Sequence, residues 1–177
     1  MDAPPFPAAA LAAARDAAKA YLRIAGDGED DALSTHAAAA LSLCEAFTGV
    51  SLIVREWREV LPADRSWRRL KVAPVSAIGA VVALEADGTD LALSADRYAI
   101  DLDAVGQGWV RVTSPGAARL VRVEFRAGLG ADWASLPAPI AQGVVLLAVH
   151  LFEARALGGA PPAAVAALWR PWRRVRL

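Results

Sequence analysis

The chain reads as an α+β protein in which a helical module carries an inserted antiparallel β unit. Three observations predict this. Apolar residues recur at helical spacing through the first 49 positions. From Val50 to about residue 130 the period falls to two, and β-branched and aromatic residues displace alanine. The helical period then returns in PAPIAQGVVLLAVHLFEAR, Pro137 to Arg155. The expected organisation is therefore 1–49 for an arm and two helices, 50–130 for the β unit, and 131–177 for the last helices and a tail.

Residues 2–7 hold three prolines and predict an extended arm. Ala8 to Ile24 predicts a helix, with Leu11, Ala14, Ala18, Tyr21 and Leu22 near one face. GDGEDD, residues 26–31, breaks it. Its acids stand just ahead of the next helix, where the N-terminal end of the helix dipole favours negative charge. Asp31 to Thr48 predicts that second helix, with an apolar stripe of Leu33, Ala37, Ala40, Leu41, Cys44 and Phe47, and Gly49 as its stop. The alanines at 37–40 leave room for another helix to come close.

SLIVREWREVL, residues 51–61, predicts a strand, and Trp67 to Val72 a second one after a turn at Pro62. Val81–Glu85 and Leu91–Leu93 flank Asp87-Gly88, a hairpin signal because glycine tolerates positive φ. Tyr98, Ile100 and Leu102 alternate with Ala99, Asp101 and Asp103. Trp109–Thr113 follows, and then Val121, Val123 and Phe125 alternate with Arg122, Glu124 and Arg126.

Pro137 to Arg155 predicts a long apolar helix. Pro139 suits its first turn, where a missing N–H costs nothing, and Gly158-Gly159 would stop it. It is short of the roughly 20 apolar residues a bilayer requires. A helix that is apolar all round must be covered all round. Val144, Val145, Val149 and Phe152 are therefore expected in the core or in a contact with a neighbouring subunit. Pro161-Pro162 opens a short last helix, Ala163 to Trp169.

The 177 residues are 56% hydrophobic, which excludes a disordered chain. Nineteen basic residues balance nineteen acidic ones, so no bulk field draws the protein to nucleic acid or membrane. Cys44 is alone, which excludes an intrachain disulfide and an all-cysteine zinc site. The first residues lack the basic start and apolar run of a signal peptide, and neither export nor a membrane anchor is expected.

Catalytic chemistry finds little support. His36 and His150 sit in separate helices, and Cys44 lies on an apolar stripe beside Glu45. Asp101 and Asp103 share a strand face, but a hard cation needs more oxygen ligands. Gly128-Leu-Gly130 lacks the third glycine of a dinucleotide loop, and no GxSxG, HExxH or Walker pattern occurs. No cofactor or metal is expected, and an enzyme ranks third among the readings. The densest signal is the tail: Trp169, Arg170, Trp172, Arg173, Arg174 and Arg176 fall within nine residues. Tryptophan and arginine carry most interface hot spots. A protein partner with an acidic rim fits them first, DNA phosphates second, and packing back on the chain's own domain remains open, for Trp169 in particular.

Several stretches in order carry a family resemblance: AKAYLRI before DD, CEAFTGVSLIVREW, LKVAPVSAIGAV before a DG hairpin, RYAID, VRVEFRAGLG, the PAPIAQGVVLLAVHLFEAR segment and LWRPWRRVRL. In that order and spacing the chain resembles the head–tail connector (adaptor) proteins of long-tailed phages and phage-like gene transfer agents. The resemblance implies a structural protein without catalysis, in a dodecameric ring under a portal protein, with tail-side connector or stopper proteins below. It implies DNA passing transiently through the lumen, no membrane, and a place in the neck of a particle assembled in the bacterial cytoplasm. Trp169, Arg170, Trp172, Arg173, Arg174 and Arg176 would form the portal-facing set. Removing Trp169–Leu177 is expected to leave a folded domain that cannot join particles. Asp27, Glu29, Asp30 and Asp31 suit a lumen that must not hold DNA, since affinity rises with each phosphate neutralised. The alternative from another class is a DNA-binding accessory protein using the tail arginines.

Overall fold

Alanine decides how the helices pack. α1 (Ala8–Leu22) buries Ala10, Ala14 and Ala18, residues four apart and so on one face. α2 (Asp30–Thr48) buries Leu33, Ala37, Ala40, Leu41 and Cys44. One-carbon side chains on both helices let the backbones approach closely. Charge pins their adjoining ends. Lys19 Nζ donates to Asp30 at 2.5 Å and to Asp27 at 3.2 Å, and Arg15 reaches Asp30 at 3.4 Å. α2 stops at Gly49, whose φ of 69° suits a residue without Cβ.

The computed structural model describes residues 3–86, 88–154 and 161–174. They divide into a helical unit, Pro5–Ile53 with Leu129 onward, and a β unit, Val54–Gly128 with the arm as far as Pro4.

α3 (Ala138–Glu153) completes the helical core with Ile140, Val144, Leu147 and Ala148, and it touches α1, α2 and α4 (Ala163–Trp169). Two expectations about this segment need correction. α3 has 16 residues, shorter than the 19 of α2, and it is not apolar all round. Ala138, Pro139, Gln142 and Glu153 are exposed, and no described helix is long and apolar enough to cross a membrane. The residues expected in the core or against a neighbour lie in the chain's own core. Val144, Val145 and Val149 are buried within the single chain, and Phe152 is half-buried with its ring edge-on to His36 at 6.2 Å. Arg155 and the Gly158-Gly159 stop lie outside the described residues.

The β unit holds two antiparallel sheets. Its strands are β1 (Arg55–Pro62), β2 (Arg68–Arg69), β3 (Val75–Leu84), β4 (Asp90–Ala92), β5 (Tyr98–Leu102), β6 (Gly108–Val112) and β7 (Leu120–Ala127). The larger sheet runs β1-β7-β3-β4, the smaller β2-β6-β5. Strict alternation puts Trp57 and Leu61 of β1 and Val121, Val123 and Phe125 of β7 into one core with Val110 and Val112 of β6. The outer face of the large sheet is laced by Arg58–Glu124, Arg126–Glu56 and Arg122–Asp90 ion pairs. Buried Arg55 lies over the Trp57 ring at 4.8 Å and donates to the Pro4 carbonyl at 2.8 Å, which ties the arm down.

Three strand expectations shift. The first strand begins at Arg55, because Leu52 and Ile53 are spent in the helical core, where Ile53 bridges Gly130. The second strand shrinks to Arg68–Arg69. In β5 Tyr98 packs against the core, but Ile100 and Leu102, on the same face as Val110, are left uncovered, at 45% and 41% exposed. β5 borders its sheet, and the core that covers Val110 does not extend to Ile100 opposite.

Candidate functional site: the C-terminal face of the helical unit

The end of α2 is where the chain comes back to itself. Thr48 Oγ1 donates to the Cys44 carbonyl at 2.7 Å and accepts the Val50 N–H at 3.3 Å. Glu45 Oε1 accepts the Leu52 N–H at 2.7 Å. The last carbonyls of a helix have no partner within it. One of them, on Thr48, accepts the backbone N–H of Arg174 at 2.7 Å. Arg173 and Arg174 therefore stand at the negative end of the α2 dipole, where positive charge is favoured.

α4 and a following 3-10 turn, Arg170–Trp172, deliver this segment. Trp169 is 3% exposed and donates its indole N–H to the Ile140 carbonyl at 3.3 Å. It fills the notch at Gly143, where a Cβ would overlap the indole ring. Trp169 was placed in the partner-facing set with packing on its own domain left open; the structure makes it a core residue. Trp172 is half-buried against the same core. Arg170 and Arg173 are exposed, and Arg174 is half-buried. Arg176 lies outside the described residues. Deleting Trp169–Leu177 would consequently open the core as well as remove the arginines.

Two hollows flank the last turn of α2. A basic one of about 930 Å³ is lined by Glu45, Ala46, Phe47, Gly49, Arg170, Arg173 and Arg174. Its floor is partly aromatic, since Arg173 stacks over Phe47 at 5.9 Å and Phe47 leans on Trp169 at 6.0 Å. The second, of about 460 Å³, is apolar and lined by Leu43, Ala46, Phe47, Leu147, Val165 and Ala166, with Pro161, Pro162, Ala163 and Trp169. Ala46 and Phe47 belong to both walls. The sequence pointed to the arginines but not to Phe47, Thr48 or Gly143. A glycine inside an apolar helix usually has a packing reason, and Gly143 was the one readable signal.

The other candidates stay apart. Neither hollow is lined by His36, Cys44 or His150. Burial pushes the Cys44 thiol far up, away from the thiolate that a nucleophile needs. Asp103 uses Oδ1 to accept the N–H groups of Val105 and Gln107, which shapes its own loop. Among the described residues no three His, Cys, Asp or Glu side chains are grouped to hold a metal ion. Of the loop acids, Asp30 is committed to Lys19 and Arg15.

No protein-family model matches the chain, and no curated protein matches it. Solved structures do. The chain is 30% identical, at a TM-score of 0.80, to a chain in the neck of an empty gene transfer agent (GTA) particle determined with C6 symmetry; the match covers 100% of this chain and 97% of that one. A chain of the virion of a native GTA particle is 31% identical at a TM-score of 0.76, over 100% and 96%. A chain of the native neck with C12 symmetry is 32% identical at 0.76, over 100% and 97%.

Proposed function

The chain belongs to the head–tail connector (adaptor) proteins of phage-like gene transfer agent particles, and from that premise we propose that it forms a ring in the particle neck, docks on the portal and lets DNA pass. It is a structural protein of the particle. The observation that carries the finer reading is the end-to-end likeness, at 30% identity and a TM-score of 0.80, to a chain of a neck determined with C6 symmetry. The native neck was determined with C12 symmetry, which favours a twelve-fold ring for this chain too. A heterologous contact that closes on itself builds such rings. The protein works here without catalysis, as a spacer between head and tail. The exposed arginines of the C-terminal face are its portal-side contact, and the charge-balanced composition is compatible with a lumen that does not hold DNA.

Co-sedimentation with the purified portal ring from the same gene cluster tests this. Full-length protein is expected to travel with the portal, and averaged images of the complex are expected to show a second ring of twelve-fold symmetry. A protein that stays in the supernatant at every concentration would contradict the reading.

A further inference from the structure

We infer that the two hollows beside the end of α2 form one docking site for an acidic segment of a partner protein that also carries an apolar anchor residue. The inference rests on the portal-docking reading and adds the chemistry of the partner. The basic hollow has three arginines and one acid; Arg174 and Glu45 have partners within the chain, and Arg170 and Arg173 are its exposed cations. No ion pair ties Arg170 or Arg173 to an acid among the described residues. Guanidinium groups placed together in this way favour carboxylate or phosphate, which they bind in pairs of parallel hydrogen bonds.

The adjoining hollow decides between the two. Its lining of Leu43, Leu147, Val165 and Ala166 offers nothing to a phosphate and everything to an apolar side chain. Leu43 is 47% exposed there, on the same helix as Phe47. A nucleic-acid backbone would leave this half empty. A peptide with Asp or Glu beside Leu, Met or Phe fills both halves at once, with the charges around a desolvated anchor as in other hot-spot clusters.

Two surface variants of the full chain test the site, Arg170→Glu with Arg173→Glu, and Leu43→Asp. Both alter exposed side chains, and an unchanged unfolding midpoint checks that they fold. Each is expected to weaken co-sedimentation with the portal ring by roughly tenfold or more, the arginine pair through lost charge-assisted contacts and Leu43→Asp through a carboxylate set in the apolar half. A photo-crosslinking residue in place of Leu43 is expected to label a portal segment rich in Asp or Glu. If wild type binds the portal and both variants bind equally well, the docking site is wrong while the connector reading stands. If wild type does not bind, both fall. A 20-base-pair duplex gives the nucleic-acid arm: salt-dependent binding lost in the arginine variant but kept in Leu43→Asp would assign the site to DNA and overturn the peptide.

Discussion

Trp169 and Arg173 stand four residues apart in one Trp/Arg-rich segment and serve opposite ends. The helix that leads into that segment buries Val165 and Trp169, and the indole closes the notch at Gly143. The second half, Arg170 to Arg174, lies across the end of α2 with Arg170 and Arg173 exposed to solvent. Composition alone does not separate the two halves. The difference comes from a hydrogen-bond donor that finds the Ile140 carbonyl and from a missing Cβ on α3. A residue type that can anchor a partner can equally anchor its own fold.

The sharpest way to break this comparison is to remove the inward half. Trp169→Ala is expected to destabilise the chain by about 3–5 kcal/mol, the usual loss for a large buried aromatic, read from urea unfolding. A loss below about 1 kcal/mol would place the indole outside the core. The notch makes a smaller, complementary prediction. Gly143→Ala forces the Trp169 ring aside and is expected to cost about 1–3 kcal/mol, as overpacking does. Combined with Trp169→Ala, the same substitution is expected to cost much less, and additive losses would show that the two positions do not meet.

How much of this was legible in advance follows the range of the interactions. The stripe from Leu33 to Cys44 and the alternation from Val121 to Phe125 are local patterns, and both lie in elements of the expected type. The α+β class follows from them. The two-residue β2 and the uncovered Ile100 and Leu102 were not legible, because β-pairing and sheet edges are set by distant strands. The same holds at the site. The arginines are visible in the sequence, but the bond from Arg174 to Thr48 and the aromatic floor at Phe47 join residues over a hundred positions apart. A long helix apolar on every side was expected because runs of valine and leucine give no hint of length or coverage; α3 is shorter, and α1, α2 and α4 cover most of it.

The far end of α2 gives a control on charge. The hydrogen bond from Lys19 first, and the Arg15 charge after it, hold the Asp30 carboxyl below its ordinary 3.8. A group whose pKa is depressed on folding adds stability above its unfolded pKa and loses it as pH falls through the folded one. The unfolding midpoint is therefore expected to drop as pH falls below about 4. Asp30→Asn is expected to lower the midpoint at neutral pH and flatten part of that acid limb. An acid limb identical to wild type would mean that Asp30 is not held by its cations. The smallest effect belongs to the outward half. Arg170→Ala and Arg173→Ala are each expected to shift stability by no more than about 0.5 kcal/mol, as exposed positions do, in the same unfolding assay. A larger loss would make these arginines part of the fold.

The most direct test of the whole account is to delete the gene in a cell that makes the particles and to count tails by electron microscopy. The account predicts heads without tails, with tails restored when the wild-type chain is supplied. Tailed particles at the normal frequency without it would contradict the connector role.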